Sequence, residues 1–275
     1  FTRRSKMQRK ILIYNSQTEN SISTKELLSK KLIEKNFTIV SELDNEVELI
    51  VCIGGDGTFL DLIHEFDFPE IPIIGINTGH LGFFQEIMPD RLDEFIDNYI
   101  NQKYSIQSMQ TVMAHVYHNG TCEELKGLNE IIIASNANYA YSVHFDISIG
   151  GSFIERFSGD GLLVSTPAGS TAYNYSLGGS IVDPRLRLLQ ATPIAPMNTT
   201  AYRSFTSSIL LPPDLSMEVK PVDNSSKVKI TIAFDGFSKF FDNVSNIEVC
   251  LSETNVKLLR LESYDFWSKV KSKFL

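Results

Sequence analysis

Residues 51–60 read VCIGGDGTFL. Three glycines, Gly54, Gly55 and Gly57, surround one aspartate, Asp56, after an apolar β-rich run and before Thr58. A strand that turns here into a helix presents unpaired N–H groups and a partial positive charge, which attract phosphate. Glycines let the backbone come close to that phosphate. The loop is neither GxGxxG nor GxxxxGK[ST], and it holds no lysine. An aspartate beside phosphates is repulsive unless it has a task. It can hold Mg2+, or it can take a proton from an attacking hydroxyl. The plainer alternative is a helix cap, which aspartate makes well. The full run G-G-D-G-T after an apolar strand favours the chemical reading.

Other stretches carry further candidates. IGINTGHLGFF ends at Phe84 and places Gly75, Gly79 and Gly82 where backbone can approach a ligand. Within it Asn77 can donate and accept hydrogen bonds, and Phe83 offers a ring face to a base or pyridinium. LNEIIIAS, residues 128–135, puts Asn129 and Glu130 before a β-branched strand, where the pair suits a ribose diol or a polar turn. Residues 157–182, FSGDGLLVSTPAGSTAYNYSLGGSIV, are dense in small and hydroxyl side chains. Asp160 lies between glycines, Ala172 leaves room for close approach, Tyr173 can stack, and Asn174 and Ser176 can read polar edges. Such a run suits a nucleotide cleft; the alternative is a glycine-rich packing corner. His64, His115, His118 and His144 fit packing or surface roles, and His80, within the IGINTGHLGFF run, could line the cleft. No His, Cys and Asp group has metal-ligand spacing, and no G-x-S-x-G elbow occurs.

The elements around these stretches alternate at first. KILIY (10–14), Phe37–Val40, Glu48–Ile53 and Ile71–Ile76 read as apolar strands. Ser23–Lys35, with Leu27, Leu28 and Leu32 on one face, Thr58–Phe66 and Pro89–Gln102 read as helices. Strand–helix alternation predicts an α/β domain with a mainly parallel sheet over residues 1–103. Beyond Lys103 the pattern becomes short strands with turns at Asn119-Gly120 and Gly150-Gly151. LLVST, SILLP, KVKITIAF, NIEVCL and VKLLRL follow, so residues 104–263 are expected to form an all-β sandwich. YDFWSKVKSKFL ends the chain as an amphipathic helix (264–275), expected to dock on the first domain through Phe266, Trp267, Val270 and Phe274.

The 275 residues are 43% hydrophobic and 21% charged, with net charge −8, enough for a sizeable core. That charge repels a long polyanion, and the short basic clusters near the start and at Lys269–Lys273 read as solvated faces, so no nucleic-acid partner is expected. Cys52, Cys122 and Cys250 lack disulfide or zinc spacing and predict reduced, mostly buried thiols of a cytoplasmic protein. No apolar run is long enough for a membrane span. Met7 reads as a natural start, with residues 1–6 a tag remnant or frayed extension.

GGDGT resembles the phosphate-binding signature shared by NAD kinases, diacylglycerol and sphingosine kinases, and phosphofructokinases. G-x-N-x-G-x-L-G-F resembles the second NAD kinase motif, and S-T-P-x-G-S-T-A-Y the third. Asn129-Glu130 and Asp235-Gly236 match the family's N-E motif and D-G turn. The chain is thus identified as a member of the NAD kinase family, of bacterial type. The resemblance implies phosphoryl transfer from ATP or polyphosphate to the adenosine-ribose 2′-hydroxyl of NAD, with Mg2+ or another divalent cation on the donor. It implies Asp56 as general base, with Gly55 and Gly57 as backbone donors. Asn129 and Glu130 would hold ribose, Asp160 the nicotinamide end, and Thr171, Ala172, Tyr173, Asn174, Tyr175 and Ser176 the adenosine end. Asp235 would shape the cleft, and Ala195 is carried over from the family pattern. Ser158 stands where many bacterial relatives carry a basic residue. Homo-oligomers, dimers or tetramers, with NAD near subunit interfaces are also implied. A lipid or sugar kinase and a non-catalytic dinucleotide sensor are the rival readings.

Overall fold

The computed structural model describes residues 9–79, 82–135, 142–200, 203–222 and 229–274. Met7 and His80 lie outside them. The chain divides into two compact units, Phe1–Ser108 with Val256–Leu275, and Met109–Asn255.

The first unit alternates strand and helix. β1 (Arg9–Asn15), α1 (Glu19–Glu34), β2 (Phe37–Val40), β3 (Val47–Gly54) and α2 (Asp56–Glu65) come first. β4 (Ile73–Asn77), β5 (Gln85–Ile87), a 3₁₀ turn at Pro89–Arg91 and α3 (Leu92–Ile100) follow. β2, β1, β3 and β4 lie side by side in that order, all parallel. β3 is buried along nearly its whole length, as a parallel strand covered on both faces must be. Ile11, Ile13, Leu49, Val51, Ile53, Ile74 and Ile76 share one core with Leu28 and Leu32 of α1 and Phe95 and Ile96 of α3.

Helix starts differ from the sequence expectation. α1 begins before its apolar stripe because the Thr18 side chain caps it, accepting the Ser21 N–H at 3.3 Å. Leu27 lies on the exposed side, while Leu28 and Leu32 are buried. α2 begins at Asp56 rather than Thr58, with Gly55 as its cap residue.

The second unit is built from antiparallel strands. It includes β6 (Tyr104–His118), β7 (Thr121–Gly127), β8 (Glu130–Ser135), β9 (Val143–Ile149), β10 (Ser152–Gly159) and β11 (Gly161–Ser165). One helical turn, α4 (Tyr173–Ser176), interrupts the strands. β12 (Leu189–Ile194), β13 (Ile209–Leu211), β14 (Met217–Pro221), β15 (Ile230–Phe234), β16 (Phe237–Phe241) and β17 (Val244–Leu261) complete them. A six-stranded sheet runs β13-β12-β11-β8-β15-β16. The strands β10, β9, β14 and β17 form the facing layer, with β6 and β7. Their inner residues, among them Phe145, Phe157, Ile133, Val164 and Ile232, make one core. The Asn119-Gly120 turn joins β6 to β7 with φ of 48° and 78°, the geometry of a tight hairpin. The two strands expected at NIEVCL and VKLLRL are one continuous strand, β17; no glycine or proline breaks it.

The last part of β17 belongs to the first unit, where Leu258 pairs with Ile73. α5 (Phe266–Phe274) follows in the same unit. Phe266 and Val270 are buried and Phe274 stacks on Phe83, but Trp267 is 49% exposed, against the expectation that it docks. Of the cysteines Cys52 is buried and Cys250 half-buried; Cys122 is exposed rather than buried.

Candidate active site

The strand order makes β1 lead outward to β2 and the chain return on the other side at β3. Ligands of open α/β sheets settle at such reversals, beyond the carboxyl ends of the strands. The Gly54–Gly57 loop is at that end of β3. Gly54 is required by packing: a Cβ there would lie 2.3 Å from Thr58 Oγ1. Gly55 and Gly57 differ, since a Cβ on either would meet nothing of the protein within 4 Å and neither has positive φ. No internal contact demands glycine there, which fits backbone kept bare for a ligand.

Asp56 is not the helix cap; that place is Gly55. Its carboxylate instead accepts two backbone N–H groups from the chain after β4. Phe83 N–H reaches Oδ2 at 2.9 Å, and Phe84 N–H reaches Oδ1 at 3.0 Å. Two charge-assisted bonds from consecutive amides fix the carboxylate plane. Gly82 makes room for it, since a Cβ there would lie 2.1 Å from Asp56 Oδ1. Gly82→Ala is therefore expected to push the carboxylate aside and, if turnover depends on Asp56, to lower kcat by up to about 100-fold, which a misplacement of about 1 Å can cost. Steady-state kinetics beside a thermal melt checks this, because the fold should survive.

Three residues around the loop carried no clear sequence signal. Gln85 is fully buried, and its Nε2 donates to the Gly55 carbonyl at 2.8 Å. Phe84 stacks on Phe59 of α2 with centroids 4.7 Å apart. Lys269 of α5, expected on a solvated basic face, is half-buried and donates to the carbonyls of Gly82, Phe83 and Gln85. Phe83 takes another role than expected. Its ring is covered by Phe266 and Phe274, so the residue offers Asp56 its amide rather than a free ring face. Asn77 is buried at the end of β4 and accepts the Gly79 N–H at 3.1 Å. With Thr78, Gly79, Asn20, Thr24 and Met88 it lines a cavity of about 500 Å³.

In the second unit the candidates fall at both ends of the six-stranded sheet. At one end Asp235 sits in the β15–β16 turn with φ of 49°. Its carboxylate receives the N–H groups of Leu128 (2.6 Å), Asn129 (2.7 Å) and Glu130 (3.4 Å). Thr166 ties the same corner down, its hydroxyl donating to Leu128 O at 2.6 Å and its N–H to Asn129 O at 2.9 Å. The corner's backbone is thus spoken for, while two side-chain atoms are not. Asn129 Oδ1 and Glu130 Oε2 are buried without a hydrogen-bond partner among the described residues. Buried orphans of this kind require an explanation, and a polar ligand supplies one. Burial, and then the nearby Asp235 charge, push the Glu130 carboxyl up to about 8.

The sign of that shift gives a prediction. Folded Glu130 keeps its proton where the unfolded chain, at 4.5, loses it. Stability contributed this way is full below pH 4.5 and is lost as pH rises toward about 8. Glu130→Gln should flatten that slope in denaturation curves taken across the interval.

Of the 171–176 run, Thr171 is buried and Ala172 half-buried, while Tyr173, Tyr175 and Ser176 are exposed. Asn174 is turned inward: Oδ1 accepts Thr192 Oγ1 at 2.6 Å, and Nδ2 donates to Ser170 O and Ser180 O. Its side chain holds the turn together instead of reading a ligand edge. Asp160 and Ala195 are exposed at the other end of β11 and β12, about 17 Å along the strand from Ser165. Ser158 is fully buried, its Oγ 2.7 Å from His144 Nδ1, where a basic side chain would have no room. Among the described residues no group of three or more His, Cys, Asp or Glu could hold a metal ion.

Comparison with known proteins agrees on one family. Residues 4–104 match the ATP-NAD kinase N-terminal domain, and residues 128–261 match the ATP-NAD kinase C-terminal domain. The chain is 36% identical over 269 residues to the NAD kinase of Finegoldia magna, covering 96% of this chain and 97% of that one. It is 32% identical over 267 residues to NAD kinase 1 of Oceanobacillus iheyensis, covering 96% and 97%. Among solved structures it is similar to an NAD kinase from Archaeoglobus fulgidus in complex with ATP. That match has TM-score 0.74 and 25% identity, covering 96% of this chain and 99% of that one. Yeast NADH kinase complexed with NADH shares the fold, with TM-score 0.82 and 20% identity, covering 96% and 86%.

Proposed function

This chain belongs to the NAD kinase family, and we propose that it moves the terminal phosphoryl group of ATP to the adenosine-ribose 2′-hydroxyl of NAD with Asp56 as general base. The observation that carries the role of Asp56 is its carboxylate, which leaves the helix cap to Gly55 and is fixed by the Phe83 and Phe84 amides. In a loose phosphoryl-transfer transition state the hydroxyl proton leaves late, so the position of the base counts for more than its strength. A carboxylate held at both oxygens is suited to that task. The bare Gly55 and Gly57 backbone and the α2 N-terminus would meet donor phosphates. A divalent cation carried in by the donor would neutralise their charge.

Asn129 and Glu130 would take the ribose hydroxyls; their orphaned oxygens support this. Thr171, Ala172, Tyr173, Tyr175 and Ser176 would line the adenosine end. Asp160 and Ala195, at the far end of the sheet, would serve the nicotinamide end of a nucleotide bound to a neighbouring copy. A homo-oligomer, dimer or tetramer, follows from that reading. The cytoplasmic location expected from three unpaired cysteines belongs to the same proposal. An acceptor panel tests it: NAD, a sphingoid base and a sugar phosphate, each with ATP or polyphosphate. Phosphorylation of NAD alone is expected. Phosphorylation of either other acceptor in preference to NAD would contradict it.

A further inference from the structure

We propose that Lys269 of α5 is a positioning residue for phosphoryl transfer, holding from behind the two peptide groups that hold the Asp56 carboxylate. This rests on the reading of Asp56 as the base. The geometry is that of two peptide units, each gripped at both ends. The Gly82 carbonyl and the Phe83 N–H belong to one peptide plane; the Phe83 carbonyl and the Phe84 N–H belong to the next. In a trans peptide the C=O and N–H point in opposite directions. Lys269 Nζ donates to the two carbonyls, at 3.2 Å and 3.3 Å. Asp56 receives the two N–H groups, at 2.9 Å and 3.0 Å. Each peptide therefore lies between an ammonium and a carboxylate. Rotation of either plane would break a charge-assisted bond on both sides, and the two charges polarise the peptides in the same sense. The third ammonium donor goes to the Gln85 carbonyl. Gln85 is the residue whose side chain holds Gly55 O.

The ammonium is held in place by α5 itself. Phe266 and Phe274 pack on the Phe83 ring, and Val270 is buried. The charged groups that face Lys269 are Arg260, Glu86, Asp56 and Lys273, with the Tyr264 ring 5.3 Å from its nitrogen. Burial, and then Arg260, push the Lys269 ammonium down to about 8, against the pull of Glu86 and Asp56. Its charge thus predominates at neutral pH and is lost through the mildly alkaline range. Loss of the proton removes one donor and the charge, and the grip on the peptides weakens.

The test is NADP formation by the full chain: wild type, Lys269→Met, Lys269→Arg, Asp56→Asn and the Asp56→Asn/Lys269→Met double variant, with profiles across the alkaline range. Lys269→Met is expected to lower kcat by about 10-fold to 100-fold with KM for NAD and ATP nearly unchanged. Wild-type kcat should fall with a midpoint near pH 8. That limb should vanish in Lys269→Met and move to higher pH in Lys269→Arg. The double variant should be no slower than Asp56→Asn, since the lysine acts through the aspartate. Wild-type kcat in Lys269→Met overturns the proposal. So does a double variant slowed by the same factor as the single, which would mean that Lys269 only anchors the helix. Should Lys269→Met fail to fold, Lys269→Arg decides, because wild-type kcat in that variant over the whole pH range, with the Arg fork unable to reproduce the three contacts, overturns the proposal. Full turnover by Asp56→Asn would remove the base reading and this proposal together, whereas an inactive Asp56→Asn beside a normal Lys269→Met removes only the lysine.

Discussion

Asp56→Asn is expected to bind NAD within about two-fold of wild type and to turn it over at least roughly 100-fold more slowly. The substitution keeps shape and removes the proposed acceptor of the hydroxyl proton. It also acts on the loop. Both carboxylate oxygens accept backbone amides, from Phe83 and Phe84. The asparagine NH2 must face one of those N–H groups, donor against donor, which leaves that amide unpaired. A loss of about 1–3 kcal/mol of stability should accompany the loss of turnover. Chemical denaturation and isothermal binding on the same preparation separate the two effects. NAD affinity should hold because the candidate ribose ligands, Asn129 and Glu130, are fixed by Asp235 and not by Asp56.

The second large effect is expected at Asp235. Asp235→Ala strips the acceptor from the buried amides of Leu128 and Asn129 and removes a third, longer contact from the Glu130 N–H. Each buried donor left unpaired costs about 1–3 kcal/mol, so the corner should lose several kcal/mol. Against a total of about 5–15 kcal/mol that is a large share. Alanine is also strained at the positive φ of this position. Asp235→Asn tolerates that φ and keeps one acceptor, so it should fall between wild type and alanine. In the alanine variant the Asn129-Glu130 backbone is released, and NAD affinity should drop more than ten-fold by calorimetry. Removal of the Asp235 charge should also lower the Glu130 carboxyl toward its usual range, shrinking the pH slope of stability. A variant with wild-type stability and NAD affinity would show that the turn carries neither.

Much of this was legible in the residues. β3 and β4 are continuous apolar runs, and parallel strands covered on both faces leave such runs. Asn119-Gly120 and Gly150-Gly151 mark hairpins because both positions of each turn take positive φ. Asp56, Asn129 and Glu130 stand out as polar residues at strand ends, where backbone is left to be held, whereas Asp235 is marked only by the resemblance to the family's D-G turn. What pattern could not supply was the identity of each partner. Nothing near Lys269 in sequence says that its nitrogen faces carbonyls from residues 82–85, because the contact spans the whole unit. Asn174 and Phe83 carry the right chemistry for a nucleotide, but packing spends it inside the protein. Periodicity alone starts α1 too late, because the cap at Thr18 lies ahead of the apolar stripe.

The most direct measurement is NADP formation by the purified chain with NAD, ATP and Mg2+, detected with an NADP-specific dehydrogenase and run beside Asp56→Asn. NADP is expected from wild type and almost none from the variant, with both proteins folded and both binding NAD. Equal NADP from the two would contradict that expectation, since Asp56 could then not be the base.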